Sequence, residues 1–205
     1  MALDVGAYFG LHTVLLSGLV GDAGRVYAFE PSPAVLHCLH KTVGQLDNTT
    51  RMPVALSAIR GSTSFVVPTE ASLASFADWT DLPERSKKRC LVPVDRLDSL
   101  VLGGLVPRPD FFKCDVEGAE TLVFRGAVSV LDHERAPVLL FEFNPAATRA
   151  LGLDVRAAVS FVRELREPRY ELVGLGVDAG LYPLESLPDH LINILAVPSA
   201  RRGSL

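Results

Sequence analysis

Three groups of residues in this chain have types and spacings that chemistry can use. The first is Asp4-Val5-Gly6-Ala7-Tyr8-Phe9-Gly10, a strand-turn-helix pattern, followed by a second apolar run that ends in Glu30-Pro31. Gly6 permits a tight turn out of a strand, and Gly10 removes a side chain where a helix starts close to a sheet. A carboxylate at the end of the second strand is placed to accept hydrogen bonds from both hydroxyls of an adenosine ribose. The second group is Lys113-Cys114-Asp115-Val116-Glu117-Gly118-Ala119-Glu120, at the end of a later apolar run, and the third is Glu142 at the end of a fifth. Ligands of open α/β sheets sit outside the carboxyl ends of the strands, so Gly6, Glu30 and Asp115 are expected to share one crevice. Asp115 and Glu117 read as site residues. Glu120, near a helix N-terminus, reads mainly as a cap, because a carboxylate there satisfies free N–H groups and opposes the helix dipole.

The turn also separates the nucleotides. A pyrophosphate needs the close backbone approach of G-x-G-x-x-G, and Tyr8 occupies the position of the second glycine. That side chain argues against NAD or FAD and is compatible with S-adenosylmethionine, which carries no phosphate. Walker A and G-x-S-x-G patterns are both missing, which removes ATPase and α/β-hydrolase readings at the motif level. Taken alone, the glycine motif also fits an ordinary tight turn in an α/β domain. Asp132-His133-Glu134 offers ligand types, but consecutive loop residues point in different directions and read as a solvated turn. His37, His40 and the basic cluster Arg85, Lys87, Lys88, Arg89 read as hydrated surface.

Positioning these groups requires strands that alternate with helices. Apolar runs at 2–5, 25–29, 54–56, 111–115 and 138–143 read as strands, and 10–19, 33–46, 120–131 and 155–166 as helices. Segments 62–67 and 91–94 form a β insertion around an exposed loop at 68–88, and strands at 171–175 and 192–197 complete the pattern. The first helix carries Leu11, Val14, Leu15 and Leu19 on one face. The second starts with Ser32 as N-cap and Pro33 in the first turn, and its stripe is Leu36, Leu39, Val43 and Leu46. The expected fold is α/β, a mostly parallel sheet with helices on both faces.

Composition agrees with one domain over residues 1–205. At 48% hydrophobic and 21% charged, a chain of 205 residues can bury a core without disulfide or metal. Three cysteines without a CxxC spacing point to a reducing compartment. A formal charge of −4 leaves no electrostatic footprint for nucleic acid. The apolar stretch 9–20 lacks the basic flank of a signal peptide, and no run reaches the ~18 apolar residues of a membrane span. The expectation is a cytoplasmic protein that engages neither nucleic acid nor membrane; oligomeric state is not legible.

Taken together, Asp4-Val5-Gly6-Ala7, Ala28-Phe29-Glu30-Pro31-Ser32-Pro33, Ala55-Leu56-Ser57, Leu97-Asp98-Ser99-Leu100, the Lys113–Glu120 motif, Arg125-Gly126-Ala127, Phe141-Glu142 and Asn193-Ile194-Leu195-Ala196-Val197-Pro198 resemble the FkbM-type methyltransferases. The resemblance covers the chain from Asp4 to about Asn144 plus the last strand. It implies a Rossmann-like class I methyltransferase fold with a seven-stranded sheet. It also implies an S-adenosylmethionine-dependent O-methyltransferase whose acceptor is a hydroxyl of a sugar or polyketide-like natural product. On that resemblance Asp4, Gly6 and Ala7 line the methionine end of the cofactor, Glu30 holds the ribose and Leu56-Ser57 lie beside the adenine, with Tyr8, Gly10, Pro31 and Asp115 as further cofactor-binding positions. Tyr8 departs from the family's usual Asn. The start one residue before the first strand leads to the expectation that an N-terminal segment is missing.

Methyl transfer is an in-line displacement, so catalysis is largely the holding of an oxygen about 3 Å from the methyl carbon, worth ~7–11 kcal/mol. An alcohol must also lose its proton, and a general base contributes ~10²–10⁴-fold. Asp115 and Glu117 are the first candidates, Glu142 the next and His12 the last. Mg²⁺ held by oxygens such as those of Asp115 and Glu142 is neither required nor excluded, and no metal site is assigned. The alternatives are a vestigial nucleotide-binding domain without turnover and an NAD-dependent oxidoreductase.

Overall fold

Strands β1 (Ala2–Val5), β2 (Val26–Phe29), β3 (Thr49–Met52), β7 (Phe111–Cys114) and β8 (Val138–Phe143) run parallel, and all but the edge strand β3 are the short, largely buried apolar runs that parallel pairing favours. The computed structural model describes residues 1–69, 71–176 and 180–204. Beyond β8 the sheet turns antiparallel through β11 (Ile192–Pro198), β9 (Tyr170–Leu175) and β10 (Leu181–Pro183), giving the order β10-β9-β11-β8-β7-β1-β2-β3. A second sheet, β4-β6-β5, consists of β4 (Ala55–Leu56), β5 (Gly61–Pro68) and β6 (Lys87–Asp95). Helices α1 (Leu11–Val20), α2 (Pro33–Val43), α3 (Leu97–Leu102), α4 (Glu120–Arg125), α5 (Val128–Leu131), α6 (Pro145–Ala150) and α7 (Ala157–Glu164) fill the connections. The core centres on the sheet, where Phe124 of α4 meets Phe112 and Phe141 edge-on with ring centroids 6.3 and 5.3 Å apart.

Several expectations change. The main sheet has eight strands rather than seven, because β10 adds an exposed edge. The third strand is Thr49–Met52, whose polar Thr-Thr-Arg sequence suits a half-exposed edge and carries no apolar signal; the apolar 54–56 segment instead opens the second sheet at β4. The helix expected over 120–131 breaks at Gly126-Ala127, where the chain passes against the carbonyl of Ser57. The 68–88 loop is partly ordered: Ser75 is buried and pairs with Val66 across an isolated bridge, and Lys87 is buried against Asp78. Ser32 does stand at the N-cap of α2, but its hydroxyl makes no cap bond and is buried without a partner.

The largest reversal concerns α1. The stripe Leu11, Val14, Leu15 and Leu19 faces solvent, with Leu11 70% and Leu19 82% exposed, while Thr13 and Ser17 face the sheet. The cause is polar. The Thr13 hydroxyl donates to Asp4 Oδ2 at 2.6 Å, the Ser17 hydroxyl donates to Asn48 Oδ1 at 2.6 Å, and the Asn48 amide donates to the Ser17 and Gly21 carbonyls at the helix end. Three hydrogen-bonded side chains outweigh an apolar face whose period alone reads as core. On α2 the stripe behaves as read, with Leu39 and Val43 buried against Ala7 and Ala28. Leu15→Gln and Leu19→Gln are expected to change unfolding free energy by less than ~0.5 kcal/mol, whereas Leu39→Ala costs ~2–5 kcal/mol. Urea denaturation of the three variants checks this, and a large loss at Leu19 would show that the α1 stripe is covered in solution.

Candidate active site

The strand order reverses between β1 and β7, and a cleft of about 260 Å³ opens there at the carboxyl ends of the parallel strands. Gly6, Ala7, Tyr8, Glu30, Pro31, Leu56, Asp115, Glu117 and Glu142 all line it, as does His12. Asp4, Gly10 and Ser57 do not. Asp4 is fully buried beneath the floor, Gly10 packs against Leu39 and Val43 of α2, and the Ser57 carbonyl lies against Gly126. Asp4 connects to the cleft through Lys113.

The turn after β1 is built by close approach. A Cβ on Gly6 would lie 1.8 Å from the Asp115 carbonyl oxygen, so only glycine brings this turn onto the end of β7. Tyr8 adopts a left-handed φ of 49°, uncommon for a non-glycine residue, and its ring stacks on Phe9 with centroids 3.8 Å apart. Its backbone N–H donates to Glu30 Oε2 at 2.9 Å, and the Ser32 N–H donates to Oε1 at 2.7 Å. Both oxygens of Glu30 are thus oriented before any ligand arrives, and each keeps a lone pair free to accept from a hydroxyl. Burial raises the Glu30 pKa from its ordinary value, opposed by these two amides.

Lys113, to which the sequence pattern assigns no role, is the one lysine or arginine of the site among the described residues. Its ammonium is buried, 3.3 Å from Asp4 Oδ1, 3.2 Å from Asp115 Oδ2 and 3.4 Å from the Gly6 carbonyl. Burial disfavours its charge, but Asp4 and Asp115 outweigh that and hold its pKa above the usual lysine value. The alternation of side chains along β7 is the signal that was available: Lys113 cannot be solvated inside a parallel strand and must be paired.

Beside Lys113 stands an excess of acid. One carboxylate oxygen each from Asp115, Glu117 and Glu142 lies within 4.8 Å of the others. Glu117 has a left-handed φ of 53°, and the adjoining Gly118 passes so close to α6 that a Cβ there would meet the Ala147 carbonyl carbon at 2.5 Å. The Ser75 hydroxyl donates to the Glu117 carbonyl at 2.8 Å, tying the second sheet to this loop. Asn144 Nδ2 donates to Glu117 Oε2 at 3.0 Å and to Glu142 Oε2 at 3.4 Å. Burial, then repulsion by Glu142 and Asp115, pushes Glu117 up to about 9; burial and Asp115 push Glu142 up to about 7. Glu120 is pushed up to about 8 by burial and accepts from the Val116 N–H at 3.1 Å, in keeping with its expected capping role. Three carboxylates at this spacing are also the donor type that a hard cation takes, and no ligand set is assigned to them.

A mostly parallel sheet with its cleft at the β1–β7 reversal and an acid ending β2 defines the class I methyltransferase architecture. A model of the methyltransferase FkbM domain matches residues 4–172, and the chain belongs to that family. Its fold is similar to that of methyltransferase FkbM from Methylobacillus flagellatus, with a TM-score of 0.63 and 17% identity over 96% of this chain and 43% of the other. The chain thus spans less than half the length of that relative. It is also similar to a Streptococcus mutans protein solved with SAH (TM-score 0.50, 13% identity, covering 95% of this chain and 86% of the other). A third is Aeropyrum pernix fibrillarin with natively bound S-adenosyl-L-methionine (TM-score 0.50, 15% identity, 96% and 65%). No curated protein sequence matches the chain. No helix among the described residues is long and apolar enough to cross a membrane.

The raised carboxyls fix the sign of the pH dependence. Glu117, Glu120 and Glu142 hold protons up to about 9, 8 and 7 when folded, against an ordinary value of 4.5. Between those limits the folded state binds more protons than the unfolded one, so stability falls as pH rises. Asp78 and Asp110, whose pKa values are lowered, act below this window. The melting temperature is expected to drop steadily from pH 5 to pH 9, and Glu117→Gln to flatten the drop. Scanning calorimetry across that range decides it; a melting temperature that climbs with pH contradicts the burial assigned to these groups.

Proposed function

We propose that this protein transfers a methyl group from S-adenosylmethionine to a hydroxyl of a small neutral acceptor, a sugar or polyketide-like molecule. The observation that carries this reading is the geometry of the cleft: the Glu117 and Glu142 carboxyls stand side by side on the Asn144 amide, in a cleft where both oxygens of Glu30 are already oriented by backbone amides. The cleft suits the cofactor's parts. Phe29, Pro31 and Leu56 form an apolar wall for an adenine, Glu30 offers two oriented acceptors to a diol, and the acids suit a cation.

When bound, the cofactor supplies a methyl group carried on positively charged sulfur. The chain's own residues do the rest. Glu30 grips the ribose, which fixes the cofactor along the cleft. Glu142, with a pKa of about 7, takes the proton of the acceptor hydroxyl, since a base works best when its pKa is near the working pH. Glu117 keeps its own proton and hydrogen-bonds the acceptor as a donor. Phe65 of β5, with Ala74 and Phe76 from the β5–β6 connection, lines the outer wall and limits the entry of water. The chain's net charge of −4 and the acids of the cleft support a neutral or cationic acceptor over a polyanion, and the cytoplasmic assignment is part of the same proposal.

Calorimetric titration with S-adenosylmethionine, followed by methyl-transfer assays on hydroxylated sugars and polyketide-like alcohols, tests the reading. Binding without transfer to any of these acceptors would instead make this a nucleotide-binding domain without turnover, and binding of NADH in place of the sulfonium would favour the oxidoreductase. Because Glu30 also receives two backbone amides, Glu30→Ala would loosen the turn; Glu30→Gln is the cleaner probe and is expected to weaken cofactor binding several-fold or more. Glu142→Gln is expected to lower kcat by ~10²–10⁴-fold with little change in cofactor affinity.

A further inference from the structure

We infer that Asn144 is a positioning residue: its amide locks Glu117 and Glu142 side by side in the cleft. This rests on the reading that the pair handles the acceptor's proton.

Asn144 directly follows β8, two residues after Glu142, and its side chain is buried. Its orientation is not free. Oδ1 accepts the Ala147 N–H at 3.1 Å as the N-cap of α6, and the residue's carbonyl accepts the Thr148 hydroxyl at 2.8 Å. The cap consumes the oxygen, so the nitrogen must face the carboxyls; a flipped amide would lose the cap and set an oxygen against two acids. The two N–H groups then go one to each partner, at 3.0 Å to Glu117 and 3.4 Å to Glu142. Among the described residues no second donor meets either carboxyl. The other charged groups around the pair are Asp115 and Lys113 from β7 and Glu120 from α4, and Lys113 is engaged by Asp4 and Asp115. Asn144 is therefore what opposes the repulsion that would drive Glu117 and Glu142 apart.

The cap and the lock can be separated. Asn144→Ser and Asn144→Asp both keep an oxygen that caps a helix, but serine offers one hydroxyl hydrogen in place of two amide N–H groups and so cannot donate to both carboxyls, and aspartate places a third oxygen against them. In protein labelled with ¹³C at the glutamate carboxyl carbon, with Glu117 and Glu142 assigned through their Gln variants, titration from pH 5 to pH 12 reads both groups without any acceptor. Removing a hydrogen bond to the charged form raises the midpoints. About one unit is expected for Asn144→Ser and more for Asn144→Asp, with melting temperature and S-adenosylmethionine affinity close to wild type. Unchanged midpoints in both variants, with only Asn144→Ala destabilised, would reduce Asn144 to a helix cap and overturn the inference. Moved midpoints alongside a fully active Glu142→Gln enzyme would support the lock while refuting the role of the pair in proton transfer.

Discussion

A single buried ammonium holds this cleft in place. Lys113 sits between Asp4 of β1 and Asp115 at the end of β7 and touches the Gly6 carbonyl, so the turn after one strand and the loop after its neighbour are pinned by one charge. Buried ion pairs of this kind contribute little net stability against an apolar core, yet removing one partner typically costs ~3–5 kcal/mol because the other is stranded. The geometry of the cleft depends on that asymmetry. Glu30 is oriented through the backbone of the turn that Lys113 anchors, and Glu117 follows two residues after Asp115.

The same ammonium explains why the remaining acids behave unlike surface carboxylates. Its charge is spent on Asp4 and Asp115, and Glu117, Glu120 and Glu142 are left to face one another with hydrogen bonds alone. Protons make up the difference, which is why all three titrate far above the ordinary carboxyl range. Such a site attracts positive charge and repels phosphate.

Much of this was legible in the residue pattern. The strand ends bearing Gly6, Glu30, Asp115 and Glu142 were identified because parallel strands announce themselves as short apolar runs, and the rule for where ligands bind then places their ends together. What stayed hidden was whatever depends on long-range polar pairing. Thr13 and Ser17 turn α1 away from its apolar period because Asp4 and Asn48 wait for them, and nothing local reports that. Asn144 carries a local signal, an Asn-Pro step that opens a helix, but its second bond crosses to a loop 27 residues away. Edge strand β3 escaped notice for the opposite reason: its exposed Thr-Thr-Arg sequence looks like a loop.

The outer wall of the cleft comes from the β5–β6 hairpin, with Phe65, Ala74 and Phe76, whereas Glu30 and the acid cluster stand at the strand ends of the main sheet. Selection acting on which molecule is accepted can therefore rewrite that hairpin by itself, leaving Glu30 and the acid pair untouched. One position is exempt from such drift. Ser75 fastens the hairpin tip to the Glu117 carbonyl, so relatives that diversify their outer wall must preserve that tether or find another way to moor it.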